Sequence, residues 1–466
     1  MGSTFGGINT ALTSLYAQRR GLDVTGENIA NANTEGYTRQ RVRLSANTTN
    51  VNPGIYSTTN QVGSGVKVSA VERGRSEYLE DRGRAEHANS AYLTTQKAAY
   101  DQIESVIAEP SDTALQARLS DMWDSWNDVA NTAQNPSTRS ALIERSQTVA
   151  ITLNDTYAAL SNQFDTNRSG TAAYVDQVNT LASSIADMNQ QVAVAQAAGL
   201  EANELRDQRD TQVMKLSQLV GATAQTKESN GMVNVYIGNA TLVSDFNTRK
   251  VALDGPTTLD AISATDKVAL KWTDTGTVAA AGGTMGSMLD TMNNVIPGIT
   301  SQLDSVAESI ATTVNDAVTI GFDINGDPGT PFFDGVTAKD IRVIIDDPAL
   351  VAFSAKDPIA DDALDNGVAE RLTDVGNSGN GPDATYRVLV GQLGVAAQSA
   401  GRRSEIQDSV TDQVDVARES EAGVNLDEEM TNLLTYQRGY EAASRVLTTI
   451  DSMLDQLINR TGLVGR

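Results

Sequence analysis

The sequence predicts a mainly α protein with an inserted β domain. Terminal heptad helices form a coiled-coil layer, long helices form a bundle body, and a small β-rich domain lies outside them. Three observations carry this reading. Apolar residues recur every seventh position at each end of the chain, helical 3–4 spacing fills most of the interior, and that period breaks at Val220 and returns only at Met285. Hydrophobic residues make up 40% of the 466-residue chain but aromatics only 5%, which suits long helices better than dense mixed cores.

At the N-terminus Ile8, Leu15, Leu22 and Ile29 fall seven apart, with Ala11 and Leu12 filling the rhythm. This helix runs into the stretch Asn28 to Gln40, N-I-A-N-A-N-T-E-G-Y-T-R-Q. Gly36 suits a left-handed turn, and Asn33 and Thr34 are turn formers, so the stretch is either an ordinary helix terminus or a hinge into the body. At the C-terminus Leu426, Leu433, Tyr440, Leu447 and Leu454 repeat the spacing, with Tyr436, Ala443, Ile450 and Leu457 three residues on. Asn425 is the expected N-cap, with Glu428 at capping-box distance and Asp427 and Glu429 also in the first turn, while Arg460 and Gly462 mark the other end. Residues 1–43 hold five Arg against Asp23, Glu27 and Glu35, a net of +2; residues 419–466 hold eight acids against four Arg, a net of −4. Opposite signs favour the two ends pairing, although two separate amphipathic helices on a globular core would carry the same pattern.

Between the ends, Gly63–Val68 and Val71–Arg73 read as a turn and a short strand. Helical rhythm resumes near Tyr78, and Leu115, Leu119, Met122, Trp126 and Val129 make an apolar face with Trp123 beside it. Pro136 ends that helix, Leu142–Phe164 forms the next, Gly170 interrupts, and helices follow over Val178–Val192 and Leu205–Leu219. Thr223–Lys227 and Met232–Ile237 are expected strands joined through an Asn230-Gly231 turn. The segment 221–284 is expected to be a discrete β domain, removable without unfolding the helices. Met285–Val318 is helical with a kink or division at Pro297, and Tyr386–Glu419 is helical with a break near Gly391–Gly394. The resulting domains are 1–50 and 420–466 as halves of an inner coiled coil, 51–220 and 285–419 as the body, and 221–284 as the outer insert. Within the body, 321–383 is irregular with one strand candidate at Ile341–Ile345.

Composition removes several function classes. With no cysteine there is no disulfide, thiol nucleophile or cysteine metal site, and a formal charge of −24 disfavours nucleic acid and anionic membranes. No apolar window is long enough to span a bilayer, and Met1-Gly2 lacks the Ser or Thr at position 6 that a myristoylation start needs. His87, the only histidine, reads as a surface helical residue, which leaves an enzyme in a coiled-coil scaffold as a remote alternative. Asp323, Asn325 and Asp327 have calcium-loop spacing, but Pro328 and Asp334 stand where such a loop needs Gly and Glu, so an acidic turn is favoured. The acids from Asp346 to Asp365 read as a solvated face.

Asn28, Asn31, Asn33, Thr34, Gly36 and Tyr37 resemble the N-terminal signature of bacterial flagellar axial proteins, the family of rod, hook and hook-associated subunits. Four interior and C-terminal stretches are similar to its hook-associated branch. They are Leu115–Trp126 with Asn135-Pro136 and Arg139; Asn203–Asp210 with Leu216; Leu303–Asn315 with Gly321-Phe322-Asp323 and Phe332-Phe333; and Gly423–Glu429 with Tyr436, Gln437, Arg438 and Tyr440. The resemblance does not reach 240–284 or 335–383, and the chain is short against that pattern, as if an outer surface domain were missing.

The resemblance implies a structural subunit, not an enzyme and without cofactor, that joins hook to filament; a hook or distal-rod subunit is the alternative. It implies export without a cleaved signal to the extracellular flagellum. The implied partners are further copies in a ring or helical homo-oligomer, the hook protein, a second junction protein, filament subunits and an export chaperone, with no nucleic acid and no membrane insertion. The expected assembly interface is Ile8, Leu12, Leu15, Leu22 and Ile29 with Leu426, Leu433, Tyr440, Leu447 and Leu454. Each large apolar side chain is worth roughly 1.5–3 kcal/mol when fully buried. A lone subunit can cover these stripes only with the opposite terminus, so the ends are expected to be partly disordered until subunits stack around an export channel.

Overall fold

The computed structural model describes residues 4–47, 63–227, 229–360 and 365–460. Met1, Gly2 and Gly462, and parts of the segments assigned above at 48–62 and 361–364, lie outside them. Helix α1 (Thr4–Ala30) leads through a turn into a β1–β2 hairpin (Gln40–Ala46 and Val66–Arg73). The body follows: α2 (Glu77–Ile107), α3 (Leu115–Asn131), α4 (Pro136–Ala197) and α5 (Asn203–Val220). Strands β3 (Thr223–Thr226), β4 (Val233–Ile237), β5 (Ala240–Ser244) and β6 (Asn247–Thr248) form one antiparallel sheet in that order, and β7 (Val251–Asp254) pairs with β8 (Ala269–Trp272). The chain returns through α6 (Gly283–Asp290), α7 (Ile296–Val318), β9 (Phe333–Asp334), β10 (Arg342–Val343), α8 (Gly367–Thr373), α9 (Pro382–Ala422) and α10 (Leu426–Asp455). It is mainly α with a small β insertion, as the periodicity predicts.

Two helices run further than the sequence suggests. α4 is continuous over 62 residues, straight through Gly170. Asn135 caps it, its side-chain oxygen accepting from the Ser137 amide at 2.9 Å, with Pro136 in the first turn. α9 passes through Gly391 and Gly394 without the expected break. A glycine costs a helix only about 1 kcal/mol, which the packing of these long faces outweighs. Pro297 does interrupt its helix: a π-helical turn, Thr291–Val295, separates α6 from α7 and absorbs the missing N–H.

The main core gathers Leu119, Trp126, Phe164, Leu303 and Ile310 from the helices, with Phe332 and Phe353 from the irregular segment. Trp126 and Phe332 lie 5.8 Å apart between ring centres. Trp123 donates to the Asp383 carboxylate at 2.7 Å, tying α3 to the start of α9. The segment 321–383 therefore seals the helical bundle with its aromatic side chains. Its strand candidate is short, Arg342–Val343, paired with Phe333–Asp334.

The Asn230-Gly231 hairpin forms as expected, with Gly231 in the left-handed region at φ 65°. The strands are continuous in sequence but not self-contained in packing. Val235, Ile237 and Trp272 share one core with Val178 and Ile185 of α4, Val213 and Leu216 of α5, and Met285 of α6. Buried Asn189 of α4 reaches across, accepting from the Val233 amide at 3.0 Å and donating to its carbonyl at 2.8 Å. Sheets of two to four short strands need such a partner to be stable. Replacing 221–284 by a short linker should thus uncover the apolar faces of α4 and α5. We expect loss of cooperative thermal unfolding and gain of hydrophobic-dye binding, measured by calorimetry and fluorescence.

Candidate assembly interface

The two ends of the chain meet as an antiparallel helix pair, and the register can be read from its glycines. A Cβ at Gly7 would lie 3.1 Å from Ile450, one at Gly21 2.6 Å from the Tyr436 ring, and one at Gly439 2.7 Å from the Gln18 amide. Asn28 donates to Glu429 at 3.0 Å. The steps between these contacts match on the two helices, so one register holds along the pair. The α1 side of the seam is small and polar: Gly7, Ala11, Gln18, Gly21, Thr25 and Asn28 fall at 4–3 heptad spacing. On α10 the seam uses Tyr436, Gly439, Ala443 and Ile450.

The expected apolar rows flank this seam. Ile8, Leu15, Leu22 and Ile29 are half-buried and Leu12 is exposed; Leu433, Leu447 and Leu454 are half-buried, while Leu426 and Tyr440 are exposed. Met430 and Leu434 are exposed as well, and only Glu429 and Ala443 of α10 are fully buried. The pair thus closes on small residues and leaves much of its apolar surface outward. Among the described residues, Arg19 and Arg20 of α1 form no salt bridge with the acids of α10, so the opposite charge of the two ends is not expressed along the seam.

Charge acts instead at the base of the pair. Asn28, 1% exposed, is the hub. Its amide nitrogen donates to the Gln40 carbonyl at 2.9 Å as well as to Glu429, and its oxygen accepts from the Gln40 amide and the Tyr37 hydroxyl, both at 2.9 Å. Arg39 contacts Glu429 at 2.6 Å and Glu428 at 2.8 Å. Its backbone amide donates to Ala422 at 2.9 Å, and its carbonyl accepts from Gly74 at 2.7 Å. Asn425 caps α10 as predicted, accepting from Asp427 at 3.0 Å and Glu428 at 3.3 Å, but the Glu428 carboxylate goes to Arg39 instead of closing a capping box.

A second layer binds this base to the body. The Thr38 amide donates to Asp207 at 3.0 Å, and Arg73 bridges Asp207 and Asp210 at 2.7 and 2.8 Å. Arg75 joins Asp210 and Glu80, and Arg418 of α9 pairs with Glu80 at 3.0 Å. Burial pushes Arg75 down to about 10, opposed by Glu80 and reinforced by Arg73 and Arg84; it stays charged at neutral pH. Gly36 at φ 78° backs onto Thr211, where a Cβ would lie 2.4 Å from the hydroxyl oxygen. Asn31 is held by Glu27 at 2.7 Å, Thr34 bonds to Asn31 at 3.2 Å, and Asn33 is exposed. Of the six motif residues, Asn28, Gly36 and Tyr37 face the base, while Asn31 and Thr34 shape the turn.

The residues that sequence reasoning missed are Arg39, Gln40, Arg73, Arg75, Glu80 and Arg418. Asp207 and Asp210 stood inside a recognised stretch, and Glu428 and Glu429 stood in the first turn of α10, but nothing local shows which cation each carboxylate meets. His87 is helical as expected, on α2, but half-buried against α9, with Nε2 2.9 Å from Asp415. Asp323 is buried and its carboxylate accepts the amides of Asn325 and Asp327 at 2.8 and 2.9 Å, an acidic turn closed on its own backbone. Among the described residues no group of His, Asp or Glu is arranged to hold a metal ion, and no helix is long and apolar enough to cross a membrane.

Comparison with known proteins matches both ends and the middle. Residues 8–38 match the family described as Flagella basal body rod protein, and 419–460 match Flagellar basal body rod FlgEFG protein C-terminal. These define the class: a flagellar axial protein. Residues 100–333 match the Flagellar hook-associated protein FlgK helical domain. Flagellar hook-associated protein 1 of Bacillus subtilis (strain 168) is 32% identical, covering 100% of both chains. That of Escherichia coli (strain K12) is 25% identical over 97% of this chain and 99% of its own. The chain belongs to the flagellar hook-associated protein 1 family and is a structural component of the flagellum. The Escherichia coli alignment runs over 551 positions against 466 residues here, so that relative carries sequence this chain lacks. The flagellar hook junction protein FlgK from Burkholderia pseudomallei shares the fold, with a TM-score of 0.62 at 16% identity over 73% of this chain and 100% of that one.

Two outcomes test the base. Glu429→Ala leaves Arg39 and Asn28 short of a buried acceptor, a loss of about 3 kcal/mol at the low end for a broken buried pair, since Glu428 remains. Hydrogen exchange should accelerate in the first turns of α10 while the melting of the body is unchanged. For Glu80, burial alone would raise the carboxyl, but Arg75, Arg418 and Arg84 outweigh it and hold the group below its ordinary range. A depressed folded-state value contributes stability above the unfolded glutamate pKa of about 4.3 and loses it as pH falls below that. Acid unfolding followed by α2–α9 exchange should show this loss, and Glu80→Gln should remove its pH dependence.

Proposed function

We propose that this chain is the subunit that joins hook to filament, assembling in a ring or helical array through its paired terminal helices around the export channel. It contacts the hook protein on one side and, on the other, a second junction protein that carries the filament subunits. It leaves the cell without a cleaved signal, escorted by an export chaperone, and it carries out no chemical step. The observation that carries this reading is the terminal pair. Its seam is narrow and built from small residues, and its flanking apolar side chains are only half-buried or exposed in a single subunit, Leu426 at 52% and Met430 at 53%. Exposed apolar surface of that extent marks an interaction site.

The Ile8–Leu15–Leu22–Ile29 and Leu433–Leu447–Leu454 rows are then the surfaces that neighbouring copies complete. Isolated helices are marginal in water, so the ends order fully only as copies stack. Electron microscopy of a deletion strain tests the role: hooks should remain and filaments should be lost. Leu433→Asp or Leu447→Asp should give the same appearance with the body still folded, because an unpaired charge in that row is costly. Strong exchange protection of both ends at a concentration where the protein is monomeric would refute assembly-coupled ordering.

A further inference from the structure

The first 73 residues hold seven basic residues against four acids, a net of +3, although the whole chain stands at −24. That leaves −27 on the remainder. The excess is concentrated on the exposed side of the β1–β2 hairpin, where Arg41, Arg43 and Lys67 project. Arg43 pairs with Glu72 at 2.8 Å, within the hairpin. Among the described residues no carboxylate lies within salt-bridge distance of Arg41 or Lys67. Leu44 is exposed on the opposite face of β1 from Arg41 and Arg43, and the two strands pair only with each other.

The C-terminal half of α9 shows the opposite character. Glu405, Asp412 and Glu419 fall on one exposed face of the helix, and among the described residues none forms a salt bridge. Val416, exposed, lies in the same row. The acidic row extends about 21 Å at 1.5 Å per residue. The cationic side of β1 from Arg41 to Ser45, which faces Lys67 across the ladder, extends about 13 Å. The hairpin side carries an excess of cations and the α9 row an excess of acids, with Arg402 at the start of that row and Lys97 near Glu405 as its nearby cations, and the lengths are compatible.

We propose that the cationic side of the β1–β2 hairpin docks on the acidic row of α9 of a second copy of this chain. This contact rests on the reading of the protein as a self-assembling junction subunit, and it adds a lateral lock outside the terminal-helix layer. Opposed unlike charges fix the register of neighbours, and like-charge faces of wrongly placed copies repel. The contact weakens as ionic strength rises, because its charges are exposed.

The test uses the full-length chain in a strain lacking its own copy. Arg41→Glu, Arg43→Glu and Lys67→Glu together should abolish filament attachment, as should Glu405→Lys, Asp412→Lys and Glu419→Lys together; all six combined should restore it. Melting temperatures of the purified chains check that folding is intact. Because the chain has no cysteine, an independent measurement is available. Chains carrying only Arg43→Cys and chains carrying only Asp412→Cys, co-assembled and oxidised, should form a disulfide between the two kinds. Full filament attachment in either triple reversal, no rescue in the six-fold variant, or no mixed disulfide would overturn the docking. Retention of filaments in the deletion strain would instead overturn the junction role itself.

Discussion

The structure depends on a buried carboxylate that three separate parts of the chain need at once. Glu429 lies in the first turn of α10, 2% exposed, and is met by Arg39 and Asn28. A buried carboxylate survives only where donors replace its lost water. Arg39 and Asn28 come from either side of the turn after α1, so satisfying Glu429 fixes the end of one terminal helix against the start of the other. Arg39 also holds Ala422 and Gly74 through its backbone, which adds the end of α9 and the start of α2. One set of donors thus decides where the terminal pair leaves the body.

With the base fixed, the seam can be weak. Gly21 and Gly439 let the helices approach closely, but small residues bury little apolar area, so the pair is held chiefly at one end. The larger Leu and Ile residues are left on the flanks, where the hydrophobic gain is realised only against another surface. In the proposed role a lone subunit is therefore preshaped but incomplete. The body has the opposite design. Its core closes on Trp126, Phe332 and Phe353, and its second core closes on α4 and the strands, so both are complete within one chain.

How much of this was legible varied with the range of the interaction. The Asn425 cap, the Asn230-Gly231 turn and the change of period at Val220 are local patterns, and each appears where the sequence places it. Breaks at Gly170 and Gly391 were expected from local cost and are absent because long-range packing outweighs it. The dependence of the strands on α4 was hidden, since Asn189 reads as one polar residue in a helix until Val233 is brought against it. The terminal seam was hidden for a related reason. The eye follows Ile8, Leu15, Leu22 and Ile29, while contact runs along the neighbouring row of Gly, Ala, Thr and Asn, which has no hydrophobic signal. The polar base was least visible, because Arg39, Asp207 and Glu429 acquire meaning only from one another.

These features divide the work between order and assembly. Polar groups that must be satisfied, at Asn28, Arg39, Glu429 and Asp207, are satisfied inside one chain and give the subunit a single geometry. Apolar rows tolerate exposure better, since an uncovered leucine forgoes a gain but leaves no hydrogen bond unmade. In the proposed role, leaving the unfinished surface apolar while the polar base is satisfied internally lets a subunit wait in solution without misfolding and still gain free energy on joining its neighbours. The net charge of −24 works in the same direction. It keeps free copies apart through the acidic body, while in the proposed docking the cationic hairpin adds a second surface, beside the apolar rows, on which another copy meets attraction.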